Sequence, residues 1–468
     1  MTISGDALCQ LTATHQAQLL RAGKTTAREL AEAYLERINR LDGHCHSYVA
    51  VMRESALAEA DRADRELAAG LDRGPLHGIP VAVKDLIDAA GVPTTAGMAI
   101  RKDRVAQADA TVVARLRAAG AVVLGKLAMT EAATGSYHPT VKPPLNPWNP
   151  AHSSGFSSSG SGVAVAAGLC AASLGTDTCG SIRTPSAFNG VTGLKPTWGR
   201  VSRKGAFPMV EYLDTIGPMA RSAADAAAML TVIAGADNAD PTASTVRVPD
   251  YSREIGKGIS GLKIGVDWSR IDEDCSPAVA QGLRHTAEML AAKGALMRSV
   301  RTPVADFFKV TPLVTIGMAD AHRETYPARA TEYGPAISYM LGAAAGVDGK
   351  DVAAAINSVN ALKGELAALF DDVDLLLLPA AVEAAAPVGN LERAMVEDSS
   401  TFGRQFGCTI TFNMTGSPTI TFPTGFDDGL PIAAQLVGPH FSEDVLLRAA
   451  HAFQALTDWH LRQPPVRA

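Results

Sequence analysis

One stretch restricts this chain more than any other: Ser153-Ser154-Gly155-Phe156-Ser157-Ser158-Ser159-Gly160-Ser161-Gly162, all Ser or Gly apart from Phe156. Such a loop is costly to order and buries little apolar surface, so its place inside a dense apolar stretch implies a use for its backbone. An Ala-rich segment follows, then Leu174-Gly175-Thr176-Asp177-Thr178-Cys179-Gly180-Ser181-Ile182-Arg183. Ala171 to Leu174 reads as a short strand, Gly175 to Gly180 as a turn, and Ser181 to Phe188 as a helix with Pro185 in its first turns. The N–H groups of Thr178, Cys179, Gly180 and Ser181 then lie at a helix start, where they would hold a developing oxyanion beside the Ser181 hydroxyl. That is the geometry of acyl transfer. The plainer reading is a serine that only caps a helix.

A serine nucleophile needs a base. None of the eleven His lies between His152 and His285. Gly78-Ile79-Pro80-Val81-Ala82-Val83-Lys84-Asp85 instead ends an apolar, β-branched run on a lysine. Burial disfavours the ammonium form and makes such a lysine a neutral base. A surface charge beside Asp85 is the bland alternative.

These segments, with Gly193-Leu194-Lys195-Pro196-Thr197 and Gly199-Arg200-Val201-Ser202, resemble the amidase signature family. The likeness consists of several motifs in order, and extends more weakly from Thr26 to Pro431–Gly438. It implies an α/β fold with a large twisted, mixed, mostly parallel sheet covered by helices on both faces. It also implies a Ser–Ser–Lys triad: Ser181 as nucleophile, Lys84 as base, and Ser157 as the bridging serine whose preceding peptide bond is cis. Asp177 and Arg183 are expected to form a supporting ion pair. The family loop usually reads Gly-Gly-Ser-Ser-Gly-Gly-Ser. Here Phe156 and Ser159 replace two glycines, and Cys179 stands in the usual Thr-Gly-Gly-Ser. A thiol nucleophile at Cys179 is disfavoured, with no His near it in sequence.

The 468 residues, 47% hydrophobic, suffice for a large core, and no linker divides them. We expect one domain over 1–468, with an N-terminal helical portion at 1–70 and an inserted, mostly helical variable portion at about 240–350. A net charge of −6 with mixed signs argues against nucleic-acid and membrane-surface roles. The six sparse Cys read as reduced thiols of a cytoplasmic protein. Met1 to Asp6 lacks the charge and apolarity of a signal peptide, and no apolar run approaches the roughly 20 residues that span a bilayer. No cofactor or metal is expected; His44-Cys45-His46 reads as an ordinary loop.

Helices are expected from Thr26 to Ile38, Ser55 to Leu67, Ala110 to Ala119, Ala223 to Ala234, Pro277 to Lys293 and Asp351 to Phe370. The first two would cover the core or build a homodimer contact. Strands are expected at Ala121–Leu124, Leu262–Val266 and Val373–Leu378. Gly120 to Lys126 matches the spacing of a phosphate loop, but its interior is strand-like and Leu127 follows the lysine, so nucleotide binding is rejected. Neither a Gly-x-Ser-x-Gly elbow nor a Ser-x-x-Lys pattern stands in a matching context. Tyr137 and His138, in an irregular loop before the Ser-rich stretch, are expected with Phe156 to line a substrate pocket. The span from about Val304 to Val347 is the least regular and the expected seat of substrate choice.

The substrate expected is a small carboxamide or aryl amide, releasing ammonia or an amine. The glutaminase component of a tRNA-dependent amidotransferase, requiring a partner protein, is the alternative. A catalytically inactive binding scaffold is the third reading.

Overall fold

A computed structural model describes residues 4–390 and 399–466, apart from the side chains of 399–402, 404 and 405. Met1 to Ile3, part of the segment tested for a signal peptide, lie outside the described residues.

Eleven strands form one sheet: β1 (Tyr48–Val51), β2 (Pro80–Lys84), β3 (Val122–Leu127), β4 (Ala172–Asp177), β5 (Thr192–Lys195), β6 (Thr215–Ala220), β7 (Lys263–Val266), β8 (Leu296–Ser299), β9 (Leu375–Pro379), β10 (Thr419–Asp427) and β11 (Leu430–Val437). Their spatial order is β1-β3-β2-β4-β6-β5-β10-β11-β9-β7-β8. The sheet is mixed, as expected, but not mostly parallel. Only β2–β3, β2–β4, β7–β8 and β7–β9 run parallel, and the other six neighbouring pairs are antiparallel. Strand–helix–strand order gives the parallel pairs. The antiparallel hairpin β10–β11 needs only the tight Asp428-Gly429 turn.

Strands β2, β3 and β4 are buried along their whole length, which explains their continuous apolar runs. The helix Ala27–Cys45 starts in a capping box of Thr26 and Glu29, and Arg53–Ala68 follows it. Stretch 1–70 is not purely helical, since β1 pairs with β3 at the sheet edge. The span 240–350 likewise contributes β7 and β8 to the opposite edge. The least regular span proves to hold two helices, Phe307–Ala321 and Pro335–Ala343. Pro312 inside the first interrupts the pattern by which a helix is read from sequence. No helix among the described residues is long and apolar enough to cross a membrane.

Candidate active site

The site forms where the parallel strands β2 and β4 end side by side, Val81 to Val83 opposite Ala172 to Leu174. Successive side chains of a strand face opposite sides of a sheet. Lys84 therefore points away from its sequence neighbour Asp85, which pairs with Lys126 of β3 at 2.9 Å, both groups buried. The lysine of the apparent phosphate-loop pattern is thus one half of a buried ion pair.

Lys84 is fully buried and faces hydroxyls: Ser157 Oγ at 2.6 Å, Thr176 Oγ1 at 2.8 Å and Ser158 Oγ at 2.9 Å. Burial lowers its pKa to about 7, against the opposing fields of Asp214 and Asp177. Ser158 donates its own proton to Thr176 O at 3.0 Å, so toward the amine it acts only as an acceptor. A neutral Lys84 can then donate to Ser158 and Thr176 and keep its lone pair for the proton of Ser157, its nearest partner. Gly175 makes this approach feasible, since a Cβ there would stand 2.9 Å from Ser158 Oγ.

Asp177 organises the turn that carries Ser181. Its carboxylate accepts from the N–H groups of Gly180 at 2.8 Å and Ile182 at 3.1 Å, and from Arg183 Nε at 3.0 Å and Nη2 at 2.9 Å. Asn413 Nδ2 adds a bond at 2.8 Å. Burial acts to raise this carboxyl's pKa, but Arg183 and Asn413 hold it well below the usual range. Arg183 also donates to Thr409 O at 2.8 Å, and Thr409 Oγ1 donates to Cys179 O at 2.7 Å. Gly180 has φ +123° and would bring a Cβ within 2.6 Å of Thr409 Oγ1, so only glycine fits.

Two expectations are corrected by this geometry. The Gly180 N–H, expected among the oxyanion donors, is instead bound to the Asp177 carboxylate. The Phe156–Ser157 peptide is not cis; among the described residues only Tyr326–Pro327 is. A trans loop already closes its turn through Ser159 N–H to Phe156 O and presents Ser157 to Lys84, so the extra cost of a cis bond is not needed. His138, one of the expected pocket residues, lies 2.7 Å from Thr140 Oγ1 within its own turn.

Tyr137 does reach the Ser-rich loop, its hydroxyl 2.6 Å from Ser159 Oγ. Phe156 packs with Phe406, ring centroids 4.8 Å apart, in an apolar group that includes Cys179 and Phe307. Burial pushes the Cys179 thiol far up, which argues against a thiolate. Ser181 is 8% exposed and Ser157 1%, and the two make no hydrogen bond to each other. A cavity of about 340 Å³ lined by Leu86, Ala133, Thr176, Phe207, Met209 and Asp214 reaches Lys84's partner Thr176. Ser158 and Thr176 escaped sequence reasoning although both lie in the motifs quoted. Thr409 and Asn413, more than 220 residues beyond Asp177 in sequence, gave no local signal at all.

The model of the Amidase family matches residues 29–447. The putative amidase AmiD of Mycobacterium tuberculosis is 44% identical over 475 residues, covering 98% of this chain and 97% of that protein. A glutamyl-tRNA(Gln) amidotransferase component of Chromohalobacter salexigens is 38% identical, with 97% of this chain and 98% of that protein covered. The native peptide amidase of Stenotrophomonas maltophilia superposes with a TM-score of 0.80 at 31% identity, covering 98% of this chain and 99% of that one.

Proposed function

The chain belongs to the amidase family and is a hydrolase of C–N amide bonds, and from that premise we propose that it cleaves a small carboxamide or aryl amide through a seryl acyl-enzyme. The observation that carries the reading is a buried lysine with three hydroxyls and no carboxylate in contact. In the proposed sequence Ser157 gives its proton to neutral Lys84 as it takes one from Ser181, whose Oγ attacks the amide carbonyl carbon. The oxyanion accepts hydrogen bonds from the N–H groups of Thr178, Cys179 and Ser181. Collapse breaks the C–N bond while the proton returns from Lys84 through Ser157 to the departing nitrogen. Water, deprotonated by the same relay, then releases the acid and regenerates Ser181. The Ser181–Ser157 hydrogen bond belongs to the substrate complex, since catalytic hydrogen bonds often tighten only there.

The apolar group of Phe156, Phe406, Phe307 and Cys179 supports an aryl or alkyl substituent beside the reacting carbonyl. A fluorophosphonate probe should label Ser181 in the folded protein, and a panel of amides scored for ammonia and amine release should identify a substrate. Absence of labelling in folded protein would instead favour the inactive scaffold. The 38% identity to the amidotransferase component motivates a second reading, a glutaminase working with a partner protein. Glutamine hydrolysis that arises only when such a partner is added would establish it.

A further inference from the structure

A second cavity, of about 500 Å³, lies beside the first and shares Phe207, Pro208 and Glu211 with it. Four arginines line it. Arg104 is tied to Asp88 at 2.6 Å, Arg323 to Asp320 at 2.7 Å and Arg329 to Glu332 at 2.6 Å. Arg101 differs from all three. It closes the short helical turn Ala99–Arg101, its guanidinium lies 4.5 Å from the centroid of the Phe207 ring, and its Nε is buried with no hydrogen-bond partner. It makes no ion pair among the described residues.

A half-buried guanidinium with an unused donor is expensive to keep unless something pairs with it. Its fork geometry matches a carboxylate, which can take two parallel N–H bonds. His322, whose edge meets Phe207, is buried, and desolvation and Arg101 lower its pKa to about 4, so near neutrality the charge of this pair sits on Arg101. Its Nδ1 lies 3.0 Å from the Tyr333 hydroxyl, which helps hold that ring in the cavity wall. Of the lining carboxylates, Asp320 is tied to Arg323, and Glu211 at the shared rim and Glu324 are both exposed to solvent, which screens them. Phe207, the platform under Arg101, is anchored to the catalytic strand's end: its N–H donates to Leu86 O at 2.9 Å, two residues beyond Lys84. The arginine cavity thus shares its Phe207–Pro208–Glu211 wall with the cavity that reaches Thr176.

We propose that Arg101 is a carboxylate-recognition residue, and that the preferred substrate is an amide carrying a carboxylate at the end remote from the scissile bond. The substrate half of this proposal rests on the amidase reading above. The binding half does not, and the test separates them. Glutarate, which has no amide to cleave, is titrated calorimetrically into the full-length wild type, Arg101→Met and Arg101→Lys. Removing a charge-assisted hydrogen-bonding partner should weaken binding by roughly 10- to 100-fold in Arg101→Met, with the lysine variant intermediate because it keeps charge but loses the fork. In parallel, kcat/KM is compared for the monoamides of succinate, glutarate and adipate against butanamide, pentanamide and hexanamide. The wild type should prefer at least one charged member over its neutral counterpart by about 10-fold or more, and Arg101→Met should erase that preference mainly through KM. Equal glutarate affinity in wild type and Arg101→Met, or a charged-to-neutral ratio unmoved by the substitution, overturns the proposal. Should none of the six amides be hydrolysed while glutarate binding still depends on Arg101, the carboxylate site stands and the substrate assignment falls.

Discussion

Lys84 and Lys126 stand on adjacent parallel strands, both fully buried, yet they face opposite sides of the sheet and, in the proposed mechanism, carry different tasks. Lys126 meets the Asp85 carboxylate at 2.9 Å and the Thr94 hydroxyl at 2.7 Å. Burial lowers its pKa, and the Asp85 carboxylate opposes that shift. Lys84 meets hydroxyls only, so burial prevails and brings its pKa to about 7. Desolvation alone therefore does not make a base; the kind of atom facing the nitrogen decides. Lys195 extends the lesson. It too is buried with a pKa lowered by burial to about 7, but among the described residues its Nζ bonds only to the Pro196 carbonyl at 3.0 Å, which has no proton to pass on.

Substituting the two lysines separately tests this contrast hardest. Lys84→Ala should retain the fold and lower kcat/KM on the order of 10³- to 10⁴-fold, the usual worth of a positioned acid–base group. Lys126→Met should do the reverse: it strands a buried carboxylate and costs about 3–5 kcal/mol, read as a lower urea midpoint, while the folded fraction still turns over. The double variant Asp85→Leu with Lys126→Met should recover most of that stability, because an apolar pair of similar size replaces a buried ion pair at little cost. Near-normal turnover in Lys84→Ala would reverse the assignment of tasks.

Why only part of this is readable from the sequence follows from where each partner lies in the chain. The contact of Lys84 with the Ser-rich loop is legible because the motifs that carry both are short and ordered. Lys84 beside Asp85 reads as a surface charge in the plainer reading because the partner of Asp85, Lys126, lies on another strand and adjacency along a strand puts Lys84 and Asp85 on opposite faces. Gly180 reads as an oxyanion donor because nothing in the turn reveals that the Asp177 carboxylate folds back onto it. Thr409 and Asn413 come from the distant helix Ser399–Met414, a contact only the packed sheet creates. The sheet's polarity is misread for a related reason: strand–helix–strand order describes β2–β3 well and is silent about strands such as β5 and β6, which meet antiparallel.

A pH profile sharpens the comparison further. The base must be neutral, so log kcat/KM should rise with unit slope below pH 7, bend near 7 and level off above it. Lys195→Met should leave that bend in place, since Lys195 has no relay to serve. Stability should respond to both residues. Each has a native pKa of about 7 against about 10.4 in the unfolded chain, so between those values the unfolded state binds the extra proton and stability rises with pH, by up to about 1.4 kcal/mol per unit for each group. Lys195→Met should remove one share of that slope without moving the kinetic bend. A bend that shifts in Lys195→Met would mean that the two buried amines titrate as one unit.

The smallest expected effect is also the most selective. Thr176→Val deletes one hydroxyl at 2.8 Å from Lys84 Nζ and changes little else in shape. In the neutral amine that hydroxyl occupies one N–H, leaving the second for Ser158 and the lone pair for Ser157. Without it the amine keeps its proton acceptor but loses one of the contacts that orient it, so kcat should fall about 10-fold. Accepting a hydrogen bond stabilises the ammonium more than the amine, so its loss should also move the kinetic bend to lower pH. A residue that merely packs against the strand would lower activity without moving the bend. A bend that stays near 7 in Thr176→Val would therefore reduce Thr176 to packing, and the distinction between Lys84 and Lys195 would rest on Ser157 and Ser158 alone.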